Sequence, residues 1–304
     1  MKHAEKANSQ KKVSFNITTF TYDQSDLIFL GSYLIYTNGD LSLPDPLRSG
    51  SLVGRVLYKY PVPIWDSSSG NVASFETSFS YEVWNLRSYE PSDGFVFFLT
   101  DPAIAAIPDN SRDGLLGVAD ANNAFNRFVG VEFDNYANPW DPNYEHIGIN
   151  LNSLYSAKIM KWRWLNSYGT TLKVNIKYDS ASSTLTVVVT DDDGQISTLS
   201  QMLDLKWLLP EMALIGISGS SGAYQVNDIL SWRAKIYVKK EAPVKFLTDA
   251  QEGRSTLRTS DVLVYGWVGG KHACVDLTGV SPLMGLGLGI LLWNGQLSKL
   301  YQAR

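Results

Sequence analysis

Cysteine occurs once in these 304 residues, at Cys274, so no intrachain disulfide framework staples the chain. Histidine is scarce as well: of three copies, His3 falls in the leading residues and His272 near the far end. Charge of neither sign dominates. The 26 basic and 30 acidic residues leave a formal net charge of −4, which gives no basic field for a nucleic acid. Long hydrophobic runs are missing, and the longest, Leu283 to Trp293, is interrupted by glycines and too short to span a bilayer. Met1 leads into a basic, polar stretch without an apolar h-region, so residues 1–12 are expected to be a polar extension with no signal peptide. No Gly-x-Ser-x-Gly elbow, phosphate loop or internal repeat occurs. What remains, 44% hydrophobic and 18% charged, is the composition of a globular protein with ample core.

From residue 13 to about 240 the chain reads as short strands between turn clusters. Val13–Thr19, Arg55–Tyr60, Ala73–Tyr81, Gly94–Leu99 and Phe128–Asp134 are strand-like, as are His146–Leu151, Thr171–Tyr178, Thr184–Thr190, Ala213–Ser218 and Ile229–Val238. Clean alternation on both sides of the turn at Asp179-Ser-Ala-Ser-Ser183 predicts a β-hairpin. The glycine-serine stretch Ser218–Gly222 is expected to be a loop at one end of the fold. Many strands without a helical period imply an all-β antiparallel sandwich or jelly roll. About 230 residues complete such a domain, so Glu241–Arg304, rich in glycine and leucine, is expected to be an appended tail without an assigned fold.

One stretch concentrates chemistry. Between Glu132 and His146 stand Asp134, Asn138 and Asp141, with the one histidine of the globular body closing the run. In Val131-Glu-Phe-Asp134 alternation sends Glu132 and Asp134 to one face and Val131 and Phe133 to the other. In His146-Ile-Gly-Ile-Asn-Leu151 it sends Ile147, Ile149 and Leu151 to the core and leaves His146 on the polar face. Asn138-Pro-Trp-Asp141-Pro must turn, and the turn can bring Asn138 and Asp141 back over the carboxylates. Oxygen ligands suit calcium and an added imidazole suits a transition metal, so the cluster fits two ions that share ligands. With no cysteine and one histidine it is not a zinc pattern. The spacing alone leaves open a solvated polar sheet face whose Asn and Asp only form turns.

Phe128-Val-Gly-Val-Glu-Phe-Asp134, then Asn138, Asp141-Pro and His146-Ile-Gly-Ile149, resembles the legume (L-type) lectins. Val13-Ser-Phe-Asn-Ile17, Gly54-Arg-Val-Leu-Tyr58, Ile64-Trp-Asp66, Asp93-Gly-Phe-Val-Phe-Phe-Leu99, Gly114-Leu-Leu-Gly117 and Ile229-Leu-Ser-Trp232 continue the likeness in order across residues 12–240. The resemblance implies a concanavalin-like jelly roll that binds glycans without catalysis and needs manganese, or another transition metal, beside calcium. Matching positions give Glu132, Asp134, Asp141 and His146 to manganese. They give Asp134, the Tyr136 carbonyl, Asn138 and Asp141 to calcium.

The sugar site implied by the same likeness comprises Asp93, Gly114, Asn138, Tyr136, Ala223 and Tyr224. Asp93 would accept from a hydroxyl pair, after a cis peptide that here follows Ser92 where the family usually has alanine. Gly114 and the amides near Ala223 and Tyr224 would donate, Asn138 would serve both calcium and sugar, and Tyr136 would stack on the apolar sugar face. Without the resemblance, Asp93 and Gly114 read as turn residues, Asn138 as an Asn-Pro turn and Tyr136 as a half-buried sheet residue. Trp140 reads as a packed tryptophan or a second platform. The resemblance also implies a lean toward mannose or glucose, because the short loop ending at Tyr224 is more like that of the family's mannose and glucose binders than of its galactose binders. Asn16-Ile-Thr18 is an N-glycosylation sequon. The likeness implies a secreted or vacuolar protein that pairs its back sheets into homodimers.

Two competing readings are weaker. A retaining glycosidase on a related sandwich needs two carboxyl groups about 5–5.5 Å apart, but the third position of the Glu-x-Asp-x pattern is Tyr136 and not glutamate. A defence or storage relative that has lost sugar binding would lack part of the loop or Asp93, and both are present. The tail resembles nothing in legume lectins. With the missing h-region it suggests a misread gene model, which transcript sequencing across codon 240 tests.

Overall fold

Every second side chain of Leu172–Asp179 is buried, and Thr184–Thr190 repeats the pattern; the two pair as the antiparallel hairpin their alternation predicts. The computed structural model describes residues 12–85, 92–120, 125–162, 169–221, 225–238, 288–293 and 296–301. In chain order its first strands are β1 (Lys12–Ile17), β2 (Leu27–Gly31), β3 (Leu34–Ile35), β4 (Leu41–Ser42), β5 (Leu52–Tyr58), β6 (Val62–Pro63), β7 (Ala73–Asn85) and β8 (Gly94–Thr100). Then come β9 (Phe125–Asp134), β10 (His146–Ser153), β11 (Lys158–Lys161), β12 (Leu172–Asp179), β13 (Thr184–Thr190), β14 (Ile196–Met202), β15 (Met212–Ser221) and β16 (Gln225–Val238).

These strands form two antiparallel sheets packed as the expected jelly-roll sandwich. The back sheet runs β14-β13-β12-β7-β16-β4-β3, and β16 is long enough to pair with β4 at Asp228–Ile229 and with β1 from Trp232 to Tyr237. The front sheet runs β11-β10-β9-β8-β15-β5-β2. Between them lies an apolar core built from Phe75, Phe79, Tyr81 and Trp232 behind and Phe95, Val131, Phe133 and Ile147 in front. Phe95 and Phe133 stack with centroids 4.6 Å apart, and Tyr81 meets Phe95 edge-on at 4.6 Å. Such aromatic pairs contribute about 0.5–1.5 kcal/mol each beyond their buried area.

The front sheet is buried on its other face too. Val96 and Phe98 of β8 turn away from the main core and pack with Leu57, Leu115, Leu116 and Val118. That second layer is supplied by the segment from Asp101 to Asp120, which includes two single-turn 3-10 helices, Pro102–Ile104 and Asp113–Leu115. Burial on both faces explains why Gly94–Leu99 shows no alternation in sequence.

Three expectations change. Several strands extend beyond their predicted ends, and β2, β14 and the short strands β3, β4, β6 and β11 were not among the predicted strands. Ser218–Ser221 is not a loop: it is the end of β15, paired with β5 on one side and with β8 on the other. Its small side chains turn inward, where Ser218 Oγ donates to the Gly54 carbonyl at 3.4 Å and Ser220 Oγ to the Leu52 carbonyl at 3.2 Å.

Residues Glu241–Arg304 form a separate compact unit, whose described part is an antiparallel pair, Leu288–Trp293 with Gln296–Tyr301. Among the described residues no helix is long and apolar enough to cross a membrane.

Candidate metal and saccharide site

β9 lies between β8 and β10, and its last residues set the site. Asp134 sits opposite Gly94 on β8 and His146 on β10, while Glu132 sits opposite Val96 and Gly148. Alternation works as expected: Val131 and Phe133 enter the main core, and Glu132, Asp134 and His146 face the other way, each at most 1% exposed. Gly148 leaves room for Glu132, since a Cβ there would lie 2.2 Å from Glu132 Oε1. Ser156 fills the same space and donates its hydroxyl to Glu132 Oε1.

His146 Nε2 lies 3.1 Å from Glu132 Oε1 and 4.0 Å from Asp141 Oδ1. Glu132, Asp141 and His146 each offer a ligand atom within 4.8 Å of the others. The turn predicted at Asn138-Pro-Trp-Asp141 forms: the Asn138 N–H donates to Asp141 Oδ2 at 2.9 Å, and the Asp141 N–H returns to the Asn138 carbonyl at 3.0 Å. Asp134 Oδ1 accepts the Tyr136 N–H at 2.7 Å, which ties the start of the loop to the strand end.

The electrostatics are unfavourable without a cation. Burial, then the charges of Asp141 and Glu132, push the Asp134 carboxyl well above the carboxylate range. Burial and Glu132 push Asp141 up to about 7. Burial works to lower the His146 value, but the hydrogen bond to Glu132 and the charges of Glu132 and Asp141 prevail and raise it. Glu132 Oε2, Asp141 Oδ1 and Asn138 Oδ1 are buried without hydrogen-bond partners. Several acceptors crowded together with no matching donors are what a hard cation satisfies, and one imidazole suits a transition metal beside it. The donor set therefore fits the two implied ions.

Asp93 lies beside this cluster. It is 3% exposed, the Ser92–Asp93 peptide is cis, and the Asp93 carbonyl accepts the Asn135 N–H at 2.9 Å. Beneath it is a buried amide network: Gln225 Nε2 donates to Asn135 Oδ1 at 3.1 Å and to Asn227 Oδ1 at 2.8 Å, while Asn227 Nδ2 reaches the Leu43 carbonyl at 3.1 Å. Gly114 sits in the 3-10 turn Asp113–Leu115 against the Asn138 side chain. Tyr136 is 43% exposed beside them, so its ring is accessible. Trp140 packs on the smaller apolar cluster under the loop. Ala223 and Tyr224 lie outside the described residues. Asn16 is exposed on β1, opposite Arg233 and on the other sheet from this site.

Sequence reasoning missed Ser156, Gly148 and the Gln225–Asn227–Asn135 network. Their roles come from register between distant strands, and neither motif nor period marks them.

Comparison with known proteins agrees with this architecture. The family model of the legume lectin domain matches residues 12–247. A non-seed lectin of Pisum sativum is 44% identical over 231 residues, 74% of this chain and 86% of the relative. A galactose-binding lectin of Arachis hypogaea is 43% identical over 234 residues, 75% of this chain and 84% of the relative. The solved Lotus tetragonolobus seed lectin superposes with a TM-score of 0.70 at 46% identity, covering 75% of this chain and 100% of that one. These relatives are lectins, carbohydrate-binding proteins without enzymatic activity, and the chain belongs to the legume lectin family.

Proposed function

We propose that the β-sandwich binds saccharides in a metal-dependent way through Asp93, Gly114, Asn138 and Tyr136, with Ala223 and Tyr224 completing the site. The observation that carries this reading is the convergence of three distant segments. Asp93, the turn bearing Gly114 and the loop bearing Asn138 meet beside the buried carboxylates. A carboxylate offers acceptors to a hydroxyl pair, backbone and amide N–H groups offer donors, and an aromatic face takes the apolar side of a pyranose. Glu132, Asp134, Asp141 and His146 would hold manganese or another transition metal. Asp134, Asn138, Asp141 and the Tyr136 carbonyl would hold calcium. When bound, the ions neutralise the buried carboxylates and fix the loop that presents Asn138 and Tyr136.

The loop that ends at Tyr224 is short in sequence, as in the mannose and glucose binders of the family, and on that likeness the reading leans to mannose or glucose. The galactose specificity in the name of the Arachis relative supports a second reading, galactose. A glycan array run with calcium and manganese, then after chelation, tests both. Chelation-sensitive binding supports the proposal and names the sugar. No binding by folded, metal-loaded protein points to a lectin-like protein that has lost its site.

A further inference from the structure

Arg55 occupies an unusual position for a charged residue. On β5 it lies on the same face as Leu57, toward the second apolar layer beneath the segment from Asp101 to Asp120, and it is 2% exposed. Its guanidinium lies 4.8 Å from the Phe98 ring centroid. Nη1 donates to the Ala105 carbonyl at 2.6 Å and to the Ala106 carbonyl at 3.0 Å, and Nη2 donates to the Gly117 carbonyl. Among the described residues no carboxylate pairs with it. Burial lowers its pKa to about 10, so it stays charged at neutral pH.

A buried cation without a counter-ion is costly, and a leucine would fill an apolar layer at less cost. What the guanidinium adds is a rigid fork of donors. Here the fork grips both ends of a segment that makes no strand pairing, Ala105–Ala106 on one side and Gly117 on the other. Gly114 lies between those grips, pressed on Asn138 with no space for a methyl group. A shift of this segment by a fraction of an ångström moves the Gly114 amide relative to Asn138 and Asp93.

We infer that Arg55 is a positioning residue for saccharide binding: it clamps the Ala105–Gly117 segment so that Gly114 meets Asn138 in the geometry a sugar requires. This rests on the saccharide-binding reading above.

The test uses the full chain and its Arg55→Lys and Arg55→Met variants, loaded with calcium and manganese. The probes are methyl glycosides of mannose, galactose and fucose. Affinity, bound metal and hydrogen exchange are measured together. The ammonium of Arg55→Lys keeps the charge but cannot span both ends, so affinity should fall at least about fivefold. It should fall further in Arg55→Met. Bound metal should be unchanged, and faster exchange should be confined to residues 105–117. Wild-type binding with undiminished Arg55→Lys binding overturns the inference alone. So does an Arg55→Lys protein that unfolds or exchanges faster throughout both sheets, since Arg55 is then a framework residue. If Arg55→Met fails to fold, Arg55→Lys decides. Wild-type protein that binds none of the probes removes the saccharide reading, and this inference with it.

Discussion

A Cβ placed on Gly114 would lie 1.9 Å from Asn138 Oδ1. The two residues come from separate loops, and their contact leaves no room for any side chain at position 114. Gly114→Ala should therefore displace Asn138, which the proposal gives to both calcium and sugar. Glycan affinity should drop at least tenfold, a loss of about 1.4 kcal/mol, while far-UV circular dichroism stays that of the sandwich. Wild-type affinity in this variant would show that the contact is incidental.

Metal removal should destabilise the sandwich, because Asp134, Asp141 and Glu132 repel one another in its buried end. An ion at a hundred times its dissociation constant adds about 2.7 kcal/mol. For a domain of this size that is a melting shift of about 5–10 °C. Calorimetry before and after chelation measures it. Asp134→Asn should abolish the metal response yet melt above the metal-free wild type, since the amide removes one of the repelling charges. A metal-free variant that melts lower would contradict the electrostatic account.

Asp228, on β16 at the other sheet, gives a pH prediction independent of the metal loop. Burial, with charges on Asp40 and Glu82, raises its carboxyl to about 6 against a hydrogen bond from Ser42 that lowers it. The native state thus binds this proton more tightly than the unfolded chain, so the contribution is fully present below about pH 4 and lost as pH rises through about 6. Asp228→Asn should match the wild type near pH 4 and exceed it by about 2–3 kcal/mol at pH 7.5. Denaturant melts at the two pH values check this, and a pH-independent difference would refute it.

Trp232 is fully buried, and its indole N–H donates to Thr77 Oγ1 at 3.0 Å, while Thr77 donates on to the Arg233 carbonyl at 2.8 Å. Thr77→Val keeps the shape and removes the acceptor. The stranded indole N–H should cost about 1–3 kcal/mol in urea unfolding, with glycan affinity intact.

Local pattern made part of this molecule legible in its sequence. The alternation of residues 172–190 and the faces of Glu132, Asp134, Val131 and Phe133 follow from a two-residue period that the structure keeps. The acidic and histidine cluster of the candidate metal site was readable because Glu132, Asp141 and His146 are neighbours in sequence. Two-residue strands such as Leu34–Ile35 and Leu41–Ser42 carry no period. Ser218–Ser221 looked like a loop because its small polar residues are chosen for close packing inside the sheet. The clamp of Arg55 on Gly117 spans 62 residues, and the contact of Gly114 with Asn138 joins two loops; neither leaves a local trace.

The most direct measurement is saccharide titration of the wild type and Asp93→Ala, with bound calcium and manganese quantified in both. The account predicts that the wild type binds only when metal is present. Asp93→Ala should hold the same metal, remain folded and lose all measurable affinity. Undiminished sugar binding by metal-loaded Asp93→Ala would contradict the site described here.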